Sequence, residues 1–320
     1  MAVHERATVT VEAPARLHFG LLDLRGALGR RFGGIGAPAP EITVRVAVSL
    51  ADSTEATGPD AERAAEFARR FLAHYALPGG AHVRVERAIP QHAGLGSGTQ
   101  LGLSIARALA ELHAIDATSA QLARAVGRAK RSAVGTWTFG GGGFVVEGGH
   151  REDQEDDAGP LLARLPFPAT WRCVVALPDA RPGVSGAAEA AAFASLPVPA
   201  EREVERVSHL VLMAMLPALA DGDIATFGAA LTEVQEINGR WFSSVQGGPF
   251  APGASAVLVK RMREWGAPGV GQSSWGPAVY AVVEGEAGAR DLSRRVQDAM
   301  GPGGAVYTGA FPTTGARLMR

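Results

Sequence analysis

The chain has little that would tie it to an oxidising compartment or to a membrane. Its single cysteine, Cys173, excludes an intrachain disulfide and is expected to be a small buried residue in a reducing compartment. The longest apolar stretch covers only residues 210–220 and contains Pro217, so no membrane-spanning helix is expected. Charged residues near the start, among them Arg6 and Glu12, are untypical of a signal peptide. We therefore expect a cytoplasmic protein with no membrane partner.

An excess of charge of either sign is also lacking. The 31 Lys and Arg residues and the 32 Asp and Glu residues give a formal net charge of −1. Such a chain has no global positive field that would attract a nucleic acid, so nucleic acid is excluded as the main partner. Any anionic ligand must therefore be bound by a local group of donors and cations.

Glycine is plentiful, with 41 residues, and three of them lie in the most informative segment of the chain. This segment follows an alternating strand pattern at 81–86 and precedes an apolar helix pattern at 99–113. Glycines let the backbone turn sharply and present N–H groups, and the helix adds the positive end of its dipole. The segment therefore predicts a phosphate site, in which the hydroxyls of Ser97 and Thr99 bind phosphate or Mg²⁺; a flexible turn is the alternative. The predicted binding residues are Gly94, Leu95, Gly96, Ser97, Gly98, Thr99 and Gln100.

A second candidate segment, residues 16–23, contains Arg16, His18 and Asp23, and Arg30 follows it. Arginine presents a planar fork of donors that matches carboxylate and phosphate oxygens. We expect Arg16 to bind an anion, although an ion pair on a strand would also explain it. His18 is a catalytic candidate or a core histidine, and Asp23 is a partner for an arginine, a metal ligand or a base.

Two further segments combine glycine with polar side chains. Residues 130–143 end in four consecutive glycines, and ordering such a run costs much backbone entropy. A close approach of the backbone to another group would explain the run, and so would a plain hinge. Residues 269–277 supply hydroxyls, an amide and an indole for a second polar wall, or else form a strand-entry turn. The candidate binding residues in the two segments are Arg131, Ser132, Thr136, Gln272, Ser273, Ser274 and Trp275.

The patterns along the whole chain predict an α+β fold with two lobes, because 320 residues exceed the usual size of one core. The lobes are expected at residues 1–160 and 161–320, with the acidic segment 151–160 as a solvated loop at their boundary. Thr118 and Gln121 are predicted to form a capping box. Strands are predicted near 7–12, 42–48, 81–88, 143–147, 172–177, 278–284 and 304–310, and helices near 60–76, 99–113, 201–220, 223–239, 253–265 and 286–299.

These segments resemble the superfamily of galactokinase, homoserine kinase, mevalonate kinase and phosphomevalonate kinase, the GHMP superfamily. Residues 90–99 resemble its phosphate motif and residues 13–16 resemble its first motif. Within the superfamily, the chain resembles the β-ribofuranosylaminobenzene 5′-phosphate synthases in segments spread over nearly its whole length. Those segments are 16–23, 33–36, 94–100, 130–136, 245–248 and 271–277. The resemblance implies a two-lobed GHMP-kinase-like fold.

The reaction that this resemblance implies joins 4-aminobenzoate, or the related 4-hydroxybenzoate, to phosphoribosyl pyrophosphate. CO₂ and pyrophosphate are released and a C–C bond forms at the anomeric carbon, in tetrahydromethanopterin biosynthesis. The protein would thus be a decarboxylating phosphoribosyltransferase that makes a C-riboside, with Mg²⁺ as its cofactor and a homodimer as its assembly. Arg16 is the first candidate to bind a carboxylate or a phosphate, with Arg30 and Arg131 behind it. The candidates to flank the aromatic ring are Trp137, Trp241 and Trp275.

One departure separates this reaction from phosphorylation. Kinases of the superfamily typically carry a catalytic aspartate in the segment that matches residues 131–136, whereas this chain has no carboxylate between Lys130 and Glu147. A kinase would lack its expected base there, whereas displacement of pyrophosphate by an electron-rich ring needs none at the outset. The alternatives are a small-molecule kinase with a relocated base, such as Asp23, and a catalytically silent sensor of a phosphate ligand.

Overall fold

The structure is a computed structural model that describes residues 7–151, 153, 157–179, 183 and 186–319. Of the predicted acidic loop, residues 152 and 154–156 lie outside the described residues. In the described part of the chain, no helix is long and apolar enough to span a membrane. The mixture of helices and strands confirms the predicted α+β class.

The strands of the described residues form two sheets. In chain order they are β1 (Thr8–Asp23), β2 (Arg30–Ala51), β3 (Glu55–Thr57), β4 (Gly80–Arg87), β5 (Phe144–Glu147), β6 (His150–Arg151), β7 (Leu161–Leu165), β8 (Trp171–Leu177), β9 (Gly269–Gln272), β10 (Val279–Glu284), β11 (Ala305–Ala310) and β12 (Arg317–Met319). The larger sheet has the order β12-β1-β2-β4-β3, with β5 and β6 also paired to β2 and with β7 paired to β5. The smaller sheet has the order β11-β8-β10-β9. The pairs are antiparallel, apart from β3 with β4.

The helices form where apolar residues repeat at helical spacing and bury one face. They are α1 (Ala61–His74), α2 (Ser97–Leu112), α3 (Ser119–Ala125), α4 (Val134–Gly140), α5 (Gly186–Ser195), α6 (Glu201–Leu210), α7 (Leu216–Asp221), α8 (Ile224–Gln246), α9 (Ala254–Glu264) and α10 (Gly285–Met300). The predicted capping box is confirmed, since Thr118 Oγ1 accepts from Gln121 N and Gln121 Oε1 accepts from Thr118 N. The helix predicted at 201–220 contains a π-helical turn, Val211–Met215, before Pro217, whose missing N–H interrupts the regular ladder.

Strand β1 is longer than predicted and carries Arg16 and His18 within it. The strand predicted at 7–12 continues through Pro14, a residue type that is untypical of a strand interior. Register shifts, typical of β-bulges, occur between Pro14 and Arg16 and between His18 and Gly20. Bulges bend a strand and change the direction of its side chains, whereas residues two apart keep to the same face. The strand therefore presents Arg16 and His18 on one side of the sheet.

The main hydrophobic core lies between the sheets and their helices. It includes Val11 and Phe19 from β1, Phe227 from α8 and, as predicted, the buried Cys173. Helix α2 packs against β1 and β2, and α8 packs against β1 and β9. Both helices therefore pack against strand β1. The division of the chain at residue 160 stays a prediction.

The run of four glycines at 140–143 is closely packed, as one of its two interpretations required. A Cβ atom at Gly142 would collide with the backbone of Thr313, and one at Gly143 would lie 2.5 Å from Leu165 O. The neighbours are the chain's own backbone. The run therefore fits β5 between two other segments of the protein.

Glu147 is a fully buried carboxyl at the end of β5. Its Oε1 accepts a hydrogen bond from Ala133 N at 3.2 Å, and its Oε2 accepts one from Gly149 N at 2.8 Å. Desolvation raises the pKa of this carboxyl to about 7, against the lowering effect of the two backbone donors and of Ser132. Glu147 thus fastens the segment before α4 to the sheet with a carboxyl that is about half protonated near pH 7.

We predict that Glu147→Gln reduces the loss of stability that the protein shows as pH rises. The pKa of the Glu147 carboxyl is 4.5 in the unfolded chain and about 7 in the folded protein. Between these pH values the folded state therefore holds an extra proton. The free energy of unfolding therefore falls as pH rises through this window, by on the order of 3 kcal/mol from this group. Melting temperatures from about pH 4.5 to about pH 8 should fall less steeply for the variant, which stays neutral. Parallel pH profiles of the two proteins would contradict the raised pKa.

Candidate functional site

A cavity of about 630 Å³ opens beside Arg16 and His18 of β1. Its wall is formed by the loop before α2, the loop between α3 and α4, helices α5 and α8, and the segment after β9. The cavity thus brings residues of the predicted segments 94–100, 130–136 and 269–277 together with the two β1 side chains.

The predicted phosphate loop has the conformation that its glycines favour. Gly94 and Gly96 have φ angles of +75° and +74°, in the left-handed region that side chains disfavour. Gly96 is the N-cap of α2, so the amides of Ser97 and Gly98, which have no intrahelical acceptor, border the cavity. Backbone N–H groups at the positive end of a helix dipole form an anion site.

Two of these glycines leave room for arginine side chains. A Cβ atom at Gly96 would lie 2.8 Å from Arg16 Cγ. One at Gly98 would lie 2.5 Å from a terminal nitrogen of Arg63 and 3.3 Å from one of Arg128. The three arginines therefore lie directly against the backbone of the loop, where a larger residue would displace them.

Ser273 fastens the loop to β1. Its Oγ accepts a hydrogen bond from His18 N at 3.0 Å and donates one to Gly94 O at 2.7 Å. The Arg16 guanidinium also donates to Gly94 O, and Arg16 N donates to Leu95 O at 3.0 Å. Ser273 is fully buried, so it fixes the position of the loop.

Five cationic side chains and one carboxylate line the cavity, among the described residues. Burial lowers the pKa of Arg16 to about 10, an effect that Glu189 opposes and Arg128 increases. Burial and the nearby arginines also lower the pKa of Arg128. The Arg16 guanidinium keeps its charge at neutral pH, so the cavity holds an excess of positive charge that suits a polyanion. The cations are Arg16, Arg63, Arg128, Lys130 and Arg131, and the carboxylate is that of Glu189.

His18 begins a chain of hydrogen bonds that leads away from the cavity. Its Nε2 lies 3.0 Å from Ser132 Oγ. Burial, together with the charge of Arg16, lowers the pKa of His18 to about 3, so the imidazole is neutral. Ser132 in turn lowers the pKa of the buried carboxyl of Glu147 and accepts a hydrogen bond from Val134 N at 3.3 Å. The fold thus brings the Glu147 carboxyl next to the segment 131–136, which has no carboxylate of its own. This carboxyl is fully buried and does not line the cavity.

Three aromatic rings, those of Phe193, Phe242 and Trp275, form what we call the aromatic corner of the cavity. Their centroids are 4.8 to 5.7 Å apart, and each pair is close to perpendicular. Glu189, one turn before Phe193 on α5, accepts from Trp275 Nε1 at 3.2 Å and from Arg131 at 2.6 Å. The Arg131 guanidinium also lies 5.3 Å from the centre of the Phe193 ring. An aromatic ligand and an anionic ligand can therefore bind side by side.

Most of the predicted site residues line this cavity. They are Arg16, His18, Gly94, Leu95, Gly96, Ser97, Gly98, Thr99, Arg131, Ser132, Gln272, Ser274 and Trp275. Sequence reasoning missed Arg63, Arg128, Glu189, Phe193 and Phe242. These residue types are ordinary in helices and loops, so no local pattern marks them. Arg128 had one signal, its place two residues before the predicted segment at 130–136.

In the described part of the chain, the remaining predicted site residues lie behind or outside the cavity wall. They are Asp23, Arg30, Gln100, Thr136 and Ser273. The Asp23 carboxylate accepts hydrogen bonds from two backbone N–H groups of the turn that follows it. Arg30 donates to two backbone carbonyls after β5. Gln100 and Thr136 are fully buried.

Of the three tryptophans expected beside an aromatic ligand, all of them described, Trp275 alone lines the cavity. Trp241 is buried and donates to Glu203 Oε2 at 2.8 Å. Trp137 donates to Gly159 O at 2.8 Å. Both of these indoles therefore make structural hydrogen bonds away from the site.

Mg²⁺ bound by Ser97 and Thr99 stays a prediction. In the part of the chain that the structure describes, no three His, Cys, Asp or Glu side chains come together as a metal site. The hydroxyl of Thr99 accepts hydrogen bonds from Arg128 at 3.2 and 3.3 Å, and a guanidinium at this place opposes a second cation. The residues present therefore do not fit a metal ion held by the protein alone, whereas substrate phosphates can bring Mg²⁺ with them.

We predict that Gly96→Ala weakens binding of inorganic pyrophosphate about tenfold, or about 1.4 kcal/mol, because the new Cβ displaces the stem of Arg16. Gly222→Ala is a matched control, since Gly222 has a φ of +75° and nothing lies within 4 Å of its Cβ position. Both variants should lose about 1 to 2 kcal/mol of stability from the left-handed φ alone. Calorimetric titration measures the affinity, and equal affinities in the two variants would remove this loop from the binding site.

Comparison with known proteins assigns the chain to a family. The family described as "GHMP kinases N terminal domain" matches residues 61–143 of the chain. The beta-ribofuranosylphenol 5′-phosphate synthase of Methanothermobacter thermautotrophicus is 37% identical, over 93% of this chain and 95% of that protein. The protein of the same name from Archaeoglobus fulgidus is 34% identical, over 89% of this chain and 91% of that protein. A homoserine kinase structure from Cytophaga hutchinsonii has a TM-score of 0.73 and 17% identity, over 100% of this chain and 99% of that chain.

The structural likeness confirms the predicted GHMP-kinase-like fold. The likeness in sequence is more specific, because it covers nearly the full length of both chains. The chain is therefore an enzyme of the GHMP superfamily, and within it the chain belongs to the beta-ribofuranosylphenol 5′-phosphate synthase family.

Proposed function

We propose that this enzyme transfers the ribose 5-phosphate unit of phosphoribosyl pyrophosphate to the ring of 4-hydroxybenzoate, with release of pyrophosphate and CO₂. The product is then a β-ribofuranosylphenol 5′-phosphate, the compound in the name of its relatives. 4-Aminobenzoate, which the resemblance in sequence implied first, is proposed as a second acceptor for the same site. The order of the two follows from the relatives' name, which specifies a phenol. A role in tetrahydromethanopterin biosynthesis stays part of this proposal.

The observation that carries the proposal is the meeting of a cation-rich phosphate loop and an aromatic corner in one cavity. Phosphoribosyl pyrophosphate carries phosphate groups at both ends of the ribose, and five cations against one carboxylate suit such a polyanion. The aromatic corner suits a flat ring. The cavity of about 630 Å³ also lies within the usual range for small-molecule sites.

The same cavity supports phosphoryl transfer less well. A kinase of this superfamily needs a group that orients or deprotonates the substrate hydroxyl. On the wall formed by the described residues, Glu189 is the one carboxylate, and it lies on α5 beside the aromatic corner, outside the segment that matches the kinase aspartate. Asp23, the alternative base, holds a turn outside the cavity wall. When an aromatic ring displaces pyrophosphate, no base is needed at the position of the kinase aspartate.

Negative charge develops on the pyrophosphate as its bond to the anomeric carbon breaks. The amides at the start of α2 and the guanidinium groups of Arg16, Arg63 and Arg128 converge on the loop where this charge is received. Removal of one such donor typically lowers a rate about 10²-fold to 10³-fold, so this group of donors accounts for a large part of the acceleration.

Positive charge develops at the same time on the anomeric carbon. The ring attacks this carbon through the position that bears the carboxylate, with the lone pair of the para oxygen supplying electron density. Loss of CO₂ returns the bonding electrons to the ring and restores its aromaticity. The neutral His18 adds no further cation to the cavity, which suits a ribosyl centre that itself becomes positive.

Mg²⁺ is proposed as a companion of the pyrophosphate group, bound by its oxygens. The phosphates supply oxygen ligands of the kind that Mg²⁺ prefers. The protein's own contribution is then the cradle of amides and arginines around the metal-bearing substrate.

We predict that the purified enzyme, given phosphoribosyl pyrophosphate and carboxyl-labelled 4-hydroxybenzoate or 4-aminobenzoate, releases CO₂ and pyrophosphate in equal amounts. Neither product should form without both substrates, because decarboxylation waits for the new C–C bond. The rate should follow electron donation from the para position, so benzoate itself should bind and turn over poorly. Coupled assays of pyrophosphate and counting of labelled CO₂ measure both products.

Three other results would each contradict the proposal. Phosphorylation of a sugar or an alcohol by ATP would identify a kinase. Tight binding of phosphoribosyl pyrophosphate without turnover of either acceptor would identify a sensor. Release of CO₂ from the benzoate without the donor would contradict the order of bond formation.

A further inference from the structure

Glu189 is the one acidic side chain on the cavity wall formed by the described residues, and phosphate binding does not explain it. A carboxylate repels the phosphates that the five neighbouring cations attract. Helix α5 brings Glu189 next to the aromatic corner, since Phe193 lies one turn further along the same helix. A carboxylate beside three aromatic rings suits a ligand that is flat and carries a hydrogen-bond donor.

The hydrogen bonds of Glu189 fix its direction without using its full capacity. Its Oε2 accepts from Arg131 at 2.6 Å, and its Oε1 accepts from Trp275 Nε1 at 3.2 Å. A carboxylate has about four lone-pair positions, so each oxygen can accept one more hydrogen bond. The charged groups that face Glu189 are Arg131 from the loop before α4, Arg16 from β1 and Arg128. All three are positive, and none of them can accept a proton from a neutral hydroxyl. Among the described residues of this wall, Glu189 is the one carboxylate that can.

We propose that Glu189 is a catalytic residue that accepts the proton of a para hydroxyl group on the aromatic substrate, an inference that rests on the proposed transfer reaction. As the O–H bond breaks toward Glu189, the oxygen electron pair moves into the ring, and the ring carbon that bears the carboxylate bonds to the anomeric carbon. The bond from that carbon to pyrophosphate breaks, and its electron pair leaves with pyrophosphate. When CO₂ departs, its bonding pair returns to the ring, and the proton returns from Glu189 to the oxygen.

A phenol and an aniline differ at this step. A phenol donates electrons strongly only when its proton is shared or lost, whereas an amino nitrogen donates its lone pair with its protons in place. Glu189 is therefore needed more for 4-hydroxybenzoate than for 4-aminobenzoate. A Glu189 that merely held Arg131 and Trp275 in place would affect the two acceptors alike.

The chain offers a matched control at Glu203, which has the same kinds of partner. Its Oε2 accepts from Trp241 Nε1 at 2.8 Å, and its Oε1 accepts from Arg240 at 2.9 Å. Glu203 lies on α6, outside the cavity wall. Glu203→Gln thus makes the same change to a carboxylate that binds an indole and a guanidinium, and the kinetics with both acceptors should stay unchanged.

The experiment compares Glu189→Gln, Glu203→Gln and the parent enzyme in CO₂ release from the two labelled acceptors, with phosphoribosyl pyrophosphate as donor. We expect Glu189→Gln to lower kcat about 100-fold or more with 4-hydroxybenzoate and clearly less with 4-aminobenzoate. The loss with 4-hydroxybenzoate should shrink as pH rises toward the pKa of a phenol, about 10, because the solvent then ionises the substrate. Glu189→Asp keeps the carboxylate and should retain part of the rate.

Equal losses with both acceptors at every pH would overturn the proposal and leave Glu189 a positioning residue for Arg131 and Trp275. Unchanged kinetics in Glu189→Gln would overturn it as well. A parent enzyme that releases no CO₂ from either acceptor would overturn the transfer reaction itself, and this inference with it. Thermal melts accompany each assay, and Glu189→Asp carries the comparison if Glu189→Gln does not fold.

Discussion

The site depends on the contact between the backbone of residues 94–98 and the arginine side chains that cross it. Gly96 lies against the stem of Arg16, and Gly98 lies against the ends of Arg63 and Arg128, at distances that leave no room for a Cβ atom. Because the two surfaces are so close, backbone N–H groups and guanidinium groups point into one small volume. That convergence is what binding of a phosphate group requires. A side chain at Gly96 or Gly98 would separate the two sets of donors.

A cluster of cations in a partly buried cavity is itself unfavourable, and the fold reduces that cost only in part. Burial and mutual repulsion lower the pKa of Arg16 to about 10 and also lower the pKa of Arg128. Neutral acceptors hold both groups, since Gly94 O accepts from Arg16 and Thr99 Oγ1 accepts from Arg128. Such acceptors orient a guanidinium without cancelling its charge. The remaining repulsion is relieved when a polyanion enters, so it favours the bound state.

Sequence reasoning located the parts of the site that have a local chemical signature. The glycines of 94–98 precede a helix pattern, and Arg16 and His18 are two residues apart in an otherwise apolar segment. The strands and helices were predictable for a similar reason, because burial of one face gives a local period. Arg63 and Phe193 have no such signature, since the first is one of several arginines on α1 and the second follows an alanine-rich stretch of α5. The bulges that direct the β1 side chains depend on pairing with β2, which no local pattern encodes.

The chain shares its fold with a homoserine kinase, and the positions of two carboxyl groups favour the proposed transfer over phosphoryl transfer. Glu147, the carboxyl that reaches the segment of the expected kinase base, is fully buried and hydrogen-bonded to Ala133 N. Glu189 lies beside aromatic rings. A cradle for phosphates serves either chemistry, because both place developing charge on phosphate oxygens. The two reactions then differ in where the base lies. In a kinase it lies beside the hydroxyl that is phosphorylated, whereas in the proposed transfer it lies beside the para hydroxyl of a ring whose carbon is the nucleophile.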